Sequence, residues 1–320
     1  METKLDLKDR KILYELDKDA RMPSSSIAKK VGLTPEGVNY RIKRFEKEGI
    51  ITNYQLIVNL AKLGIFHFKI FLSFQHLNSE KLNEMITRLK KMEEVKWIVS
   101  SRGGWDLIIT VETDSVESAD EIKLKILGFF GNHIIKKSFS ILVEAETYNR
   151  NFLIDGKNAI NSRAVMKKDS IVELDELDMQ ILKNLTKNSR KSIVDLAEEL
   201  KSTPRVINYR IKSLEKQNVI LGYKIALGYE KLGIKFYKCL VYLGNINEKR
   251  ISELVDYFVM HENIIHNVKV IGDWDYEPEF EVFSEEEFDK YLTDMKDKFS
   301  DLISKVDIIT ISKEHKFVYF

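Results

Sequence analysis

The chain contains two copies of one unit, and this repeat constrains its fold more than any other feature. Residues 34–47 read TPEGVNYRIKRFEK and residues 203–216 read TPRVINYRIKSLEK, so that Tyr40 and Tyr209 are 169 residues apart. The same shift relates three further pairs of segments: Leu5-Asp6 and Leu174-Asp175, Leu63-Gly64 and Leu232-Gly233, and Trp105-Asp106 and Trp274-Asp275. A period this long indicates a duplicated multidomain unit rather than a solenoid repeat.

The size and composition indicate a multidomain globular protein. With 320 residues and 44% hydrophobic content, the chain is long enough for roughly two to four domains. No apolar run approaches the ~18 residues of a membrane span, and the N-terminal METKLDLKDRK lacks the apolar stretch of a secretory signal. Cys239 is the only cysteine, which excludes an intramolecular disulfide and a thiolate zinc site. We expect a cytoplasmic protein without membrane attachment, cofactor or metal.

The net charge of +1 hides an uneven distribution. Residues 1–54 hold 12 Lys and Arg against 9 Asp and Glu, and residues 150–169 hold 5 against 2. Residues 224–320 hold 13 against 19. The positive excess in the N-terminal and central segments points weakly toward a polyanionic partner.

Each unit begins with three helical patterns, which in the first copy cover residues 6–16, 24–31 and 35–48. Thr34 is a candidate N-cap of the third helix, and Pro35 suits its first position, where a missing N–H costs nothing. Thr203-Pro204 repeats this arrangement. Because a short run of alternating apolar residues follows, we interpret each set as a winged helix-turn-helix.

After each winged unit, the periodicity changes to strands and longer helices in the order βαββαβ, which is typical of a ferredoxin-like fold. The fold class is therefore α+β, with two winged helix-turn-helix domains alternating with two ferredoxin-like βαββαβ domains. In the first copy we predict strands at 66–74, 95–102, 105–112 and 138–147 and helices at 79–91 and 115–130. In the second copy we predict strands at 235–243, 264–271, 274–283 and 305–318 and helices at 247–261 and 284–300. The resulting domains are 1–60, 61–149, 171–229 and 230–320, with a linker at 150–170.

The third helices carry the residues suited to nucleic acid. Val38, Ile42 and Phe45 form one apolar stripe, so the remaining positions of this helix face outward or flank that face. Asn can pair with adenine and Arg with guanine, while Tyr and Lys can reach phosphates. The predicted DNA-contacting residues are Glu36, Asn39, Tyr40, Arg41, Lys43 and Arg44 in the first copy and Arg205, Asn208, Tyr209, Arg210 and Lys212 in the second.

The alternative is that these helices are solvated amphipathic faces that only scaffold the protein. The repeated context of turn, third helix and wing favours DNA binding. The two faces also differ, since Glu36 is replaced by Arg205 and Arg44 by Ser213. We therefore predict asymmetric half-sites.

The hairpins of the ferredoxin-like domains share the spacing Gly-x-x-Asp, at Gly103 and Asp106 and at Gly272 and Asp275. One interpretation is an effector pocket, in which glycine permits close approach and the carboxylate accepts from an ammonium group. The other is a tight hairpin, with Asp bonding its own backbone and the intervening Trp filling the core.

One strand of the last domain carries a row of acids, Glu277, Glu279 and Glu281. We interpret it as a solvated or salt-bridged row, for instance with Lys235 or Lys238 on a neighbouring strand, rather than a cation site. Pro278 lies within the row and removes a ladder donor, so it predicts a local irregularity.

Several motifs in order resemble the Lrp/AsnC family of transcription regulators. They are LDxxDxxIL at 5–13, the Ala20-Arg21 pair, the third helix through Arg41, and Gly-Ile-Ile-x-x-Tyr at 49–54. The second copy has the matching residues Leu174, Asp175, Asp178, Ile181, Leu182 and Arg190. Both Gly-x-x-Asp hairpins resemble the family's effector-binding RAM domain.

The resemblance implies winged helices that bind double-stranded DNA, and RAM domains that dimerise through their sheets and bind an amino acid near that interface. Family members mostly have one unit. We therefore expect this chain to pair its own two sheets as a covalent pseudo-dimer, and whole chains to associate further.

Two other functions remain open. Siroheme decarboxylases resemble the same two-domain fold, but they need a convergent set of His, Tyr and Arg residues. The six histidines, His67, His76, His133, His261, His266 and His315, share no motif between the copies. The third possibility is a small-molecule sensor that no longer binds DNA, against which the Asn-Tyr-Arg-Ile-Lys of both copies argues.

Overall fold

Two winged units share an apolar core that is separate from those of the ferredoxin-like domains. The computed structural model describes residues 3–154, 163–167 and 170–318. Each unit has three helices and one strand, and the third helix packs on the other two as expected. The first unit comprises α1 (Leu7–Lys18), α2 (Ser24–Val31), α3 (Pro35–Glu48) and β1 (Ile51–Val58). The second comprises α6 (Glu176–Lys187), α7 (Ile193–Glu199), α8 (Pro204–Lys216) and β7 (Ile220–Leu227).

The wing differs from the one that the sequence predicts. Instead of forming a wing within each unit, β1 pairs antiparallel with β7, from Ile51 opposite Leu227 to Val58 opposite Ile220. Each unit supplies a single strand whose backbone groups need partners, and the other copy provides them. The two winged units therefore share one apolar core, which runs from Ile12 in α1 to Ile225 in β7.

Both ferredoxin-like domains have the predicted βαββαβ order. The first comprises β2 (Phe66–Phe74), α4 (Ser79–Lys90), β3 (Val95–Gly103), β4 (Leu107–Thr113), α5 (Val116–Phe130) and β5 (Ile134–Tyr148). The second follows the short helix α9 (Tyr229–Leu232) and comprises β8 (Lys235–Leu243), α10 (Glu248–Met260), β9 (Ile264–Ile271), β10 (Glu279–Val282), α11 (Glu285–Lys298) and β11 (Ile303–Phe317).

Strand β10 is shorter than predicted because of Pro278. The prediction had this strand begin at residue 274, whereas Tyr276 makes only isolated bridges to Val241 and Lys269. A register shift between Glu279 and Phe280 follows. Proline has no N–H to donate to the ladder, so the irregularity lies where the sequence places it.

The described residues of the segment 150–170 form defined structure. Its described residues include a 3₁₀ turn at Asn151–Leu153 and strand β6 (Arg163–Met166), which pairs with Ala145–Tyr148 of β5. Arg150 and Leu153 are buried. The described residues of the predicted linker therefore pack on the domains that they connect, and the linker bounds stay a prediction.

The two sheets join into a closed ring, which confirms the predicted fold class and adds to it. Four strands from each copy follow one another in the order β2-β4-β3-β11-β8-β10-β9-β5, and β5 pairs again with β2. The long strands β5 and β11 make this possible, because one half of each pairs within the sheet of its own copy and the other half pairs with a strand of the other copy. The two junctions between the copies, β11 with β3 and β5 with β9, are called the seams.

The inner faces of the two sheets enclose a mixed apolar and charged interior. Phe71, Trp105 and Trp274 pack there, with the rings of Phe71 and Trp274 4.7 Å apart. The helices cover the outer faces, over separate cores. In the described part of the chain, no helix is long and apolar enough to cross a membrane.

Candidate nucleic-acid interface

The third helices of both winged units begin with the same cap. Thr34 Oγ1 accepts from Gly37 N at 3.1 Å, and Thr203 Oγ1 accepts from Val206 N at 3.3 Å, each with proline next in the chain. The first of these helices ends at Gly49, whose φ of 71° suits a left-handed C-cap. These caps define where both helices start, as the sequence predicts.

The buried and exposed faces of the two helices also follow the prediction. Val38, Ile42 and Phe45 are buried in α3, and α8 buries the matching apolar positions. Tyr40 is 71% exposed and Tyr209 70%, although each is a large aromatic side chain. Such side chains in solvent suit contact with a partner.

Other outward residues surround the two tyrosines and are free to contact a partner. Within the described residues, these side chains form no hydrogen bond or ion pair with the rest of the protein. They are Glu36, Lys43, Arg205 and Lys212, all of them exposed.

Asn39 and its counterpart Asn208 have different environments. Asn39 is exposed and its Oδ1 accepts from Ser24 Oγ at 2.5 Å, which holds the amide in one orientation. The position of Ser24 in the second copy is Ile193, and Asn208 is half-buried. The two amides are therefore presented differently, although the residue is the same.

The arginines of the predicted face pair with acids of the first helix in each unit, and their contact with DNA stays a prediction. Arg41 Nη1 pairs with Asp6 at 2.7 Å and with the buried Asp9 at 2.5 Å, and Arg44 Nη2 pairs with Asp9 at 2.7 Å. The hydrogen bonds to Asp6 and Asp9 raise the pKa of Arg41. These guanidinium groups brace α3 on α1 rather than lying free on the outer face.

The second copy repeats this brace with one arginine. Arg210 Nη1 pairs with Asp175 at 2.7 Å and Asp178 at 3.2 Å. Ser213 replaces the second arginine. Among the described cationic and aromatic residues of the outer faces, those that remain free are therefore the tyrosines and lysines of both copies and Arg205.

A reciprocal set of contacts joins the two winged units to each other. Ala20 N donates to Tyr223 O and Ser189 N donates to Tyr54 O, both at 2.9 Å. Arg190 Nη1 also donates to Ala20 O at 2.5 Å. This joint was not predicted from the sequence, although Arg21 and Arg190, at the same offset in the two copies, were the available signal.

A buried charge cluster, here the Arg150 cluster, ties the winged units to the second ferredoxin-like domain. Arg150 Nη1 bonds Asp17 Oδ1 of α1 at 2.5 Å, and its Nε and Nη2 bond Glu281 of β10 at 2.8 and 2.9 Å. Lys224 of β7 also bonds Asp17, at 2.9 Å. Burial alone would raise the pKa of Asp17, but Lys224 and Arg150 outweigh it and lower the pKa.

The Gly-x-x-Asp hairpins form part of the seam between the sheets. Asp106 Oδ2 accepts from Phe74 N at 2.7 Å and Asp275 Oδ2 from Leu243 N at 2.8 Å, so each carboxylate bonds the backbone of a neighbouring strand. The intervening tryptophans are buried in the interior. Effector binding by Gly103, Asp106, Gly272 and Asp275 stays a prediction, and this geometry gives them a packing role.

The acidic row is salt-bridged, as interpreted, and Glu277 and Glu281 are buried rather than solvated. Lys238 Nζ pairs with Glu277 at 3.0 Å and with Glu279 at 2.5 Å. Glu281 belongs to the Arg150 cluster. Lys235 instead pairs with Glu285 at 3.3 Å.

Comparison with known structures supports the two-copy architecture. The crystal structure of the siroheme decarboxylase NirDL aligns over 98% of this chain and 93% of its own, with a TM-score of 0.63. At 15% sequence identity, this likeness concerns the fold alone.

The sequence comparisons bear on the family. Residues 5–52 and 174–220 match the family described as winged helix-turn-helix DNA-binding. An uncharacterized HTH-type transcriptional regulator of Pyrococcus furiosus is 31% identical over 142 residues, which are 44% of this chain and 92% of the relative. The HTH-type transcriptional regulator LrpA of Pyrococcus horikoshii is 35% identical over 123 residues, which are 38% of this chain and 86% of LrpA. The chain thus belongs to the Lrp/AsnC family of transcriptional regulators, with the family's unit present twice.

Proposed function

We propose that the protein is a sequence-specific regulator that binds double-stranded DNA with α3 and α8 of one chain. The observation that carries this proposal is the pair of exposed tyrosines, Tyr40 and Tyr209, on capped helices held at one spacing by β1 and β7. A helix third in a winged unit is the element that enters a DNA groove. Rigid joining of two such helices suits a site with two half-sites.

The two half-sites should differ in sequence. Arg205 lies at the start of α8, where α3 has Glu36, and both are exposed. An arginine can read guanine bidentately, whereas a carboxylate disfavours a nearby phosphate. Selection of binding sites from random DNA should therefore return an asymmetric sequence, and a perfect palindrome would contradict this part of the proposal.

The first experiment is a salt titration of binding to DNA from the protein's own upstream region, with random DNA as competitor. Lys43→Ala should weaken binding about tenfold on every sequence and reduce the slope of log K against log salt by about one, because one phosphate contact is lost. Tyr40→Ala should weaken binding without changing that slope. The matched control is Lys249→Ala, an exposed lysine on α10.

The variants avoid Arg41 and Arg210, since their loss would disturb the helix brace. Equal binding by the natural chain and both α3 variants would move the contact surface elsewhere. Absence of any binding, with or without amino acids, would make the enzyme alternative the next hypothesis. Adding siroheme then separates the two, because a spectral shift would favour a tetrapyrrole protein.

The positions of the histidines do not favour that alternative. His67 Nε2 lies 2.9 Å from Glu112, whereas His133 contacts Lys81 and His315 contacts Ser100. These three sit with different partners on different strands and turns.

We also propose that whole chains associate further, as the family resemblance implies, which sedimentation of the natural chain would test.

A further inference from the structure

A layer of charged side chains lies between the two sheets at the centre of the ring. Lys69 of β2 and Lys238 of β8 are related by the shift of 169 residues, so they are one position in the two copies. Lys69 is 5% exposed, and Lys238 and Glu277 are fully buried. Such charges are stable in a protein interior only when they are paired.

Both lysines converge on one carboxylate. Glu277 Oε2 accepts from Lys69 Nζ and, at 3.0 Å, from Lys238 Nζ. Its Oε1 accepts from Trp274 Nε1 at 3.0 Å. Burial would raise the pKa of Glu277, but Lys238 and Lys69 outweigh it and lower the pKa to about 2. The carboxylate is therefore the shared anion of two copies.

The acids of this layer come from one copy only. The first copy has Ile108 where the second has Glu277, and Thr110 where the second has Glu279. The lysine is present in both. Two first copies paired together would bury two lysines without an acid, and two second copies would bury two lysines with four acids. Only a first copy paired with a second gives a neutral layer.

We propose that this layer selects the partner of each sheet, so that the inner face of one copy accepts only the opposite copy. The covalent connection alone favours pairing within a chain by raising the effective concentration. It does not prevent two chains from pairing like with like when they fold close together. The charge layer prevents this, because a pair of first copies and a pair of second copies would each leave buried charges without counter-ions.

The proposal is tested with the full chain and a reporter of like pairing. Ser101 of β3 lies opposite Ile311 of β11, and Leu142 of β5 lies opposite Val270 of β9. The shift of 169 residues takes Ser101 to Val270 and Leu142 to Ile311, so the two pairs are the same contact on the two seams. In a Cys239→Ala background, Ser101→Cys with Leu142→Cys puts two thiols in the first copy. In the observed pairing, these two thiols lie on different seams and do not meet. When the first copies of two chains pair, position 101 of one chain lies opposite position 142 of the other, so a disulfide can link the two chains.

The decisive comparison adds Ile108→Glu and Glu279→Thr to this reporter chain. These changes put one acid in each copy, so every pairing becomes neutral while the connection between the copies stays the same. Both chains are refolded from denaturant at high concentration, oxidised and separated without reductant. Ser101→Cys with Ile311→Cys serves as the folding control in each background, because it forms a disulfide within one chain in the observed pairing.

We expect the balanced chain to give roughly tenfold more disulfide-linked dimer than the chain with the natural charges. Both folding controls should form their internal disulfide. Equal yields of linked dimer in the two chains, whether none or many, would overturn the proposal, because the connection would then account for the pairing alone.

Discussion

At the residue scale, Glu277 shows how strongly one buried group can depend on the pairing of the two copies. Its carboxylate has Lys69 from one sheet and Lys238 from the other as partners. In the unfolded chain its pKa returns to the ordinary value of 4.5, against about 2 when folded. A depressed folded pKa stabilises the native state above the unfolded value and loses this effect as the pH falls toward 2.

We predict that Glu277→Gln removes part of the acid sensitivity of the fold. Between pH 6 and pH 3, the free energy of unfolding should fall by about 2 kcal/mol more in the natural chain than in this variant. Urea titrations at both pH values measure the difference. The control is Glu117→Gln, an exposed acid in α5, which should keep the natural pH dependence. Parallel pH profiles for Glu277→Gln and the natural chain would contradict the assignment.

Single residues also show what the sequence could and could not predict. Helical periodicity predicts the buried stripe of α3 and the outward position of Tyr40, because both depend only on the helix itself. It does not separate Arg41 from Lys43. Arg41 meets Asp6 and Asp9 only because α1 crosses beneath it, and that crossing is a tertiary fact.

At the element scale, the hairpin between β3 and β4 shows why glycine stands at one particular position. Gly103 has φ of 118°, and a Cβ there would lie 2.5 Å from the backbone oxygen of Ile308 in the other copy. Gly272 is the same position in the second copy, and its Cβ would lie 2.9 Å from Phe139 O. Both glycines allow a strand of the opposite sheet to approach.

We predict that Gly103→Ala destabilises the protein by about 2 kcal/mol or more, through both the clash and the backbone strain. The adjacent Gly104→Ala is the matched control, because a Cβ there meets nothing within 4 Å. It should change stability by about 0.5 kcal/mol or less. Thermal and urea unfolding measure both variants. A smaller loss for Gly103→Ala than for Gly104→Ala would refute the seam role of this glycine.

The elements themselves were predictable, whereas their partners across the copies were not. The βαββαβ order follows from alternating periodicities, and Pro278 marks the break before β10. The pairing of β1 with β7 needs the other copy's backbone, which no local pattern in residues 51–58 encodes. Residues 134–137 also extend β5 beyond its predicted start, because they pair with β2 of the same copy.

At the scale of the whole molecule, the duplication permits the two sides of the structure to differ. The Arg150 cluster joins the winged units to the second ferredoxin-like domain through Asp17 and Glu281. On the other side, Glu112 stands where Glu281 does and pairs with His67 and Lys96 instead. A symmetric dimer of single units could not have a buried joint on one side only.

This one-sided joint should decide how the whole molecule unfolds. Arg150→Met leaves Glu281 with Tyr229 but no cation, and leaves Asp17 with Lys224 and the backbone N–H of residue 150. We predict a loss of about 3 to 5 kcal/mol, the usual effect of breaking a buried ion pair. In calorimetry, the natural chain should unfold in one main transition, and the variant in two, with the winged units first.

The matched control is Arg88→Met, which removes an exposed pair with Glu84 on α4. An exposed pair within one helix contributes only about 0.5 kcal/mol, so this control should keep the natural transition. Fluorescence of the tryptophans inside the ring would identify the later transition as that of the sheets, since Trp105 and Trp274 are buried there. If Arg150→Met and Arg88→Met unfold alike, the winged units and the ring are coupled through β6 and the paired strands rather than through the buried charges.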